Sequence, residues 1–236
     1  AELSPGYASI PSVSFVVGQY GVGKTELMLQ VCHRMEQAGE RALPLSLGLC
    51  HDQLSLLNDD PDSEAMISLL FERVVERTGG NAAETIPELL ADIRSGGTLL
   101  ILDGLDELVS SATQHKNFFK GLMRLLNNDR SPAFRVIVSM RFEYLSLSAA
   151  AATDASDLVR LIQSDYDDDV PVHFLLLDQM GNTAVEAYLL DRLPDGEEMF
   201  SEIRRQPRVL DMLRRPLLLR IFCDVAPSCS ETCRAY

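Results

Sequence analysis

Residues 18–25 read Gly-Gln-Tyr-Gly-Val-Gly-Lys-Thr, and the fold turns on how that octet is taken. It matches G-x-x-x-x-G-K-[S/T], a glycine-rich turn that joins a strand to a helix. Both flanks fit. Val13–Val17 upstream is a short β-prone run. Downstream, from Lys24 to about Ala38, Leu27, Met28, Val31 and Met35 recur at helical spacing, with Gly39 as the stop. The chemistry asks for these residue types. Gly18, Gly21 and Gly23, with Val22 between the last two, let successive backbone N–H groups turn inward as an anion nest. The following helix adds its positive N-terminal end. Lys24 brings a point charge within reach of β- and γ-phosphates, and Thr25 a hydroxyl for Mg2+.

Two further stretches bear on the same ligand. Thr98–Leu102 is a continuous apolar run ending on Asp103, the pattern of a parallel strand buried on both faces. A carboxylate at such a strand end, close to the phosphate loop, can hold a magnesium shell, so Thr25 and Asp103 are the metal candidates. Gly104 then permits a sharp turn. Asp106 and Glu107 follow, and either can orient or deprotonate an attacking water. Phe134–Ser139 is another strand, and Arg141 lies just past its end. Ligands of open α/β sheets bind there, and a guanidinium can sense a γ-phosphate. Asp106, Glu107 and Arg141 are therefore the catalytic candidates.

Arg41–Leu49 and Val172–Leu177 complete the strand candidates. Helical patterns fill the intervals at 63–77, 83–93, 114–126 and 156–163. Strands alternating with helices imply βαβ units and a parallel sheet. After Asp178 the patterns are helical only, at 183–192, 195–205, 207–213 and 216–225. The expected organisation is a lead-in loop over 1–12, an α/β P-loop nucleotide-binding domain with a five-stranded parallel sheet over 13–177, and a small all-α domain over 178–236, truncated at its C-terminal end.

Composition narrows the partners. The 236 residues are 46% apolar and 24% charged, enough for a core and against a disordered or disulfide-stapled chain. Lys plus Arg is 21 and Asp plus Glu 35, a net charge of -14. Such a surface repels phosphate backbones, which argues against nucleic acid as a partner while leaving room for a small cationic pocket. No apolar run reaches membrane-spanning length, so no membrane partner is expected. The five cysteines are odd in number and scattered, as in reduced cytoplasmic proteins. His33, His51, His115 and His173 are isolated, and Cys223, Cys229 and Cys233 have no fourth ligand nearby in sequence. The acids between Asp165 and Asp169 read as a solvated loop.

The phosphate loop, the Asp103 strand and the Arg141 strand, in this order, resemble the NACHT family of STAND-class P-loop NTPases. That family includes NOD-like immune receptors and related microbial defence proteins. The sharpest match is Leu99-Leu-Ile-Leu-Asp-Gly-Leu-Asp-Glu-Leu108. Relatives in the wider AAA+ group usually place an acid directly after the magnesium-binding Asp, whereas NACHT proteins have a small residue there, as Gly104 is here. Arg141 matches the family's sensor-1 Arg, although Met140 stands where Ser or Thr is usual. Tyr188-Leu189 looks like the aromatic-Leu pair of the first helical domain, and Arg215-Pro216-Leu217-Leu218-Leu219 like the Pro-Leu motif. The resemblance covers about residues 13–225.

It implies ATP/ADP and Mg2+ as cofactors, with Pro216 near the adenine or ribose; the same proline also suits the first position of a helix. Adenine fits the absence of the guanine-reading N-K-x-D pattern, and the segment around Ile10 and Pro11 is the other candidate contact for the base. The implied activity is a signalling switch. ADP holds a closed monomer, exchange for ATP permits self-association through the nucleotide-binding domain, and slow hydrolysis resets it. Effector, winged-helix and sensor domains are expected outside this segment. The alternatives are a turnover ATPase of AAA+ type, remodelling or nucleic-acid-associated, and a small-molecule kinase. The kinase needs an Arg-rich lid, and Arg204, Arg205, Arg208, Arg214 and Arg215 lie in a helical block with no substrate-pocket pattern.

Overall fold

The computed structural model describes residues 13–50, 68–72, 75, 82–107, 135–142 and 172–233. The lead-in loop, with Ile10 and Pro11, and the expectations at 114–126 and 156–169 lie outside these residues. Of 63–77, residues 68–72 and 75 are described, as helix.

The described strands are β1 (Val13–Gly18), β2 (Arg41–Ser46), β3 (Thr98–Asp103), β4 (Arg135–Arg141) and β5 (Val172–Leu176). They form one sheet in the order β2-β3-β4-β1-β5. Three strand pairs run parallel, in the registers Val13↔Val172 to Val17↔Leu176, Arg41↔Thr98 to Ser46↔Asp103, and Leu99↔Arg135 to Leu102↔Val138. Apolar residues on both faces of β1 and β3 account for their burial, and Phe15 stacks on Phe174 at 5.1 Å between centroids. Pro44 lies on β2, an edge strand among the described residues, the part of a sheet where proline is tolerated.

Helices α1 (Lys24–Gln37) and α2 (Ala82–Arg94) end alike. After α1, the Gly39 N–H donates to Glu36 O and the Glu40 N–H to Met35 O, with Gly39 at φ 76°. After α2, the Gly96 N–H donates to Ile93 O and the Gly97 N–H to Asp92 O, with Gly96 at φ 78°. Both are paired-carbonyl stops that need a left-handed residue, and each launches the next strand within a few residues. The Asp92 carboxylate accepts from the Thr98 hydroxyl and pairs with Arg41 at 3.4 Å, so it fastens the end of α2 to the first rung of β2 and β3.

Several element boundaries differ from the sequence reading: β4, for one, runs from Arg135 to Arg141, so that Arg141 is its last residue rather than one past its end. β2 stops at Ser46 rather than Leu49, and Leu47–Cys50 is a 3-10 turn with Leu47 wholly buried. The turn brings Gly48 under the Glu107 side chain, a long-range contact invisible to local pattern. The last helix runs Pro216–Cys233, passing Pro227 at the loss of one ladder bond, rather than ending at Val225.

By its contacts the chain divides into two compact units. One holds the sheet: the described residues up to Val17 together with those of Thr25–Leu176. The other holds Gly18–Lys24 together with the chain from Leu177 onward. In the second, α3 (Asn182–Arg192), α4 (Gly196–Arg204), α5 (Pro207–Leu213) and α6 (Pro216–Cys233) pack around Val185, Leu189, Leu193, Phe200, Ile203, Leu213, Leu219 and Cys223. Gly196 lets α4 start hard against α3. A Cβ there would press into Leu189 O and lie 2.7 Å from the Leu189 carbonyl carbon and 2.9 Å from Leu190 Cα. Backbone on that side cannot give, so Gly196→Ala should destabilise this unit by about 2 kcal/mol. Urea denaturation followed by helix content checks it; an unchanged midpoint refutes the packing.

Cys32 and Cys223 are free thiols. Burial pushes Cys32 up from its ordinary pKa, with the Glu36 carboxylate adding to the effect. Burial does the same for Cys223, reinforced by Asp224 and opposed by Arg192. Both stay protonated at neutral pH and behave as small apolar side chains. Among the described residues no helix is long and apolar enough to cross a membrane.

Candidate functional site

The loop between β1 and α1 is built to be narrow and backbone-lined. Gly18 closes β1 where a Cβ would lie 2.8 Å from both Leu177 O and the Val22 side chain. Gly21 and Gly23 take φ 76° and 100°, a region L side chains avoid. Val22 is buried and its N–H reaches Gln19 O at 3.4 Å. Lys24, the first residue of α1, folds back along the loop. Its ammonium donates to Gly18 O at 2.8 Å and to Gln19 O at 3.0 Å. Positive charge is therefore held at the loop's strand end.

The start of α6 sits on this loop. The Leu217 N–H, one of the first-turn donors that a helix cannot use internally, donates to Gly21 O at 3.3 Å. Leu217 Cβ lies 3.4 Å, and Pro216 Cγ 3.9 Å, from where Cβ atoms on Gly21 and Gly23 would be. Pro216 opens the helix at a position where its missing N–H matters least. Gln179 Nε2 donates to Gln19 Oε1 at 3.0 Å, a second tie between the loop and the chain after β5.

In the sheet unit the other candidates gather at the C-terminal ends of β3 and β4. The Thr25 hydroxyl donates to Asp103 Oδ2 at 2.7 Å. The other carboxylate oxygen, Oδ1, accepts from the Ser139 hydroxyl, and Ser139 Oγ in turn accepts from the Gly104 N–H at 2.9 Å. β4 lies between β1 and β3, so the carboxylate strand is not the immediate neighbour of the loop's strand. Ser139, buried and one step past the Leu102↔Val138 pair, fills the intervening position. Sequence reasoning passed over it as an ordinary strand residue; the only signal was a serine near the end of an apolar run.

The two remaining acids are separated by a short turn. Leu105–Glu107 is a 3-10 turn pinned by the fully buried Leu105 and by the Glu107 N–H donating to Gly104 O at 2.8 Å. Asp106 points to β4: it accepts from the Arg141 N–H at 2.9 Å and pairs with Arg141 Nε at 2.7 Å. Glu107 is exposed. Its carboxyl overhangs Gly48 and Gly104, within 2.6 Å and 3.2 Å of where their Cβ atoms would be. Gly48, also missed in the sequence, and Gly104, at φ 82°, clear the space it occupies.

The donor set suits a hard divalent ion. A hydroxyl that gives its proton to a carboxylate keeps its lone pairs for a metal, and Mg2+ takes few protein oxygens because phosphates and water supply the rest. Among the described residues no three His, Cys, Asp or Glu side chains gather into a metal site of their own.

A glycine loop and lysine after the first strand of a parallel sheet, with a strand-end carboxylate bonded to the loop-side threonine, define a P-loop nucleotide-binding protein. The family model of the NACHT domain matches residues 12–195, and the chain belongs to that family. The structure of AMPPCP-bound DnaA from Aquifex aeolicus is similar, with 15% identity, 92% of this chain and 55% of that chain covered, and a TM-score of 0.50. The replication initiator DnaA bound to AMPPCP and single-stranded DNA gives 13% identity, 90% and 54% coverage, and 0.49. Drosophila ORC bound to DNA gives 13%, 92% and 49%, and 0.43. The likeness is one of fold, and the chain spans about half the length of these structures. No curated protein matches the chain as a relative.

Proposed function

We propose that this NACHT ATPase module is a nucleotide-operated switch, cytoplasmic and of innate-immune or defence type, working within a longer protein. The loop Gly18–Thr25 binds the phosphates of ADP or ATP, Thr25 and Asp103 hold Mg2+, Pro216 contacts the adenosine side, and Arg141 reads the γ-phosphate. Magnesium, when bound, withdraws charge from the transferring phosphoryl group. Glu107, exposed and seated over two glycines, is the residue that orients the attacking water and takes its proton. Hydrolysis is slow and resets the switch. ATP permits self-association through the nucleotide-binding domain, and effector and sensor domains lie elsewhere in the protein.

The observation that carries this reading is the Leu217 N–H on Gly21 O. A helix start that grips the phosphate loop gives the ligand a way to bias a second element, which a switch requires. The second reading is a freely cycling AAA+ motor, which the likeness in fold to AMPPCP-bound DnaA fits in part, while the net charge of -14 does not favour a nucleic-acid partner. The test is mass spectrometry of nucleotide released by denaturing the purified chain. Stoichiometric carried-over ADP is expected. An empty protein that turns over ATP rapidly overturns the switch in favour of the motor.

A further inference from the structure

We propose that Asp106 is the positioning residue of Arg141, and that the two act as one reader of the γ-phosphate. The inference rests on the switch reading above and deepens it. Both carboxylate oxygens of Asp106 are spent on one residue. One accepts the Arg141 main-chain N–H at 2.9 Å and the other pairs with Nε at 2.7 Å. A carboxylate held on both oxygens by one residue, with its side chain only 8% exposed, is poorly placed to serve an attacking water. Glu107, the next residue, stands exposed over Gly48 and Gly104. The motif's two acids thus divide the work: Asp106 faces the sensor strand and Glu107 faces solvent.

The geometry also fixes where the guanidinium points. The group is planar and rigid, so holding Nε sets the plane of the whole fork. Holding the main-chain N–H of the same residue sets the base from which the side chain departs. The backbone that carries Asp106 is held in place, because Leu105 is fully buried beside it and the turn is closed by the Glu107 N–H on Gly104 O. Arg141, by contrast, keeps 40% of its side chain exposed at the end of β4. A partly exposed fork that is oriented at its root suits bidentate recognition of phosphate oxygens. A γ-phosphate is the one group that distinguishes ATP from ADP, so the pair should affect that distinction and little else.

The test is a double-mutant cycle on the full chain with D106N, R141A and D106N/R141A, read as the ratio of ADP to AMPPCP dissociation constants by calorimetry with Mg2+. The amide introduced by D106N keeps an acceptor for the Arg141 N–H and removes the charge partner of Nε, and melting curves confirm that each variant is folded. R141A should lower the preference for AMPPCP about tenfold, D106N by a similar factor, and the double variant no further. ADP affinity should stay within about twofold throughout. If D106N leaves the ratio unchanged, or its effect multiplies with that of R141A, the pairing role is wrong. If D106N instead slows single-turnover hydrolysis with the ratio untouched, Asp106 belongs to the water. A wild-type chain that binds neither nucleotide sinks the switch reading and the pair with it; one that binds both while the cycle fails sinks the pair alone.

Discussion

Alanine in place of Lys24 will remove nucleotide binding. ADP and Mg-ATP affinity should fall at least about a hundredfold, or about 2.7 kcal/mol. That is the size expected when a charge-assisted contact to phosphate is lost. Lys24 is also a clasp: its ammonium spans the loop to Gly18 O and Gln19 O. The substitution therefore frees two carbonyls as well as deleting a charge. These bonds are part-buried and exposed, so the stability loss should be near 1 kcal/mol and the variant should remain folded. Lys24→Arg separates the two effects, since it keeps the charge while changing the geometry of the clasp. Titration calorimetry with ADP decides. An alanine variant that binds as tightly as the parent means this loop is not the phosphate cradle.

Glu107→Gln will uncouple binding from hydrolysis. Single-turnover cleavage of bound ATP should slow by about two to three orders of magnitude, the contribution of a positioned general base. ATP affinity should stay within about twofold, because the amide fills the same gap over Gly48 and Gly104 without clash. Rapid-quench measurement of ADP formation, with protein in excess of ATP, isolates the chemical step. An unchanged rate would show that the water is activated elsewhere.

Much of the sheet and loop was legible because each signal was local. The glycines and lysine of 18–25, the apolar run into Asp103 and the stop at Gly39 are patterns within a few residues of sequence. The family resemblance extended them to residues 13–225. What local pattern could not supply is what strand order decides. β4 takes its place between β1 and β3, and only then does Ser139 reach the carboxylate of Asp103. Gly48 belongs with Glu107, far along the chain, and β2 ends early to bring it there. The sequence also offered Asp106 and Glu107 as interchangeable partners for water. Their different surroundings emerged from the 3-10 turn, which aims adjacent side chains in different directions.

The bond from Leu217 to the carbonyl of Gly21 has a mechanical corollary. A trans peptide is a flat plate, so its oxygen and the amide hydrogen of the next residue face opposite ways. Pinning the oxygen from one side orients the Val22 hydrogen on the other. The first turn of α6 is thus a handle on the attitude of a single amide, and a tilt of that helix by a few degrees would be delivered to the loop through the Val22 N–H that reaches Gln19 O.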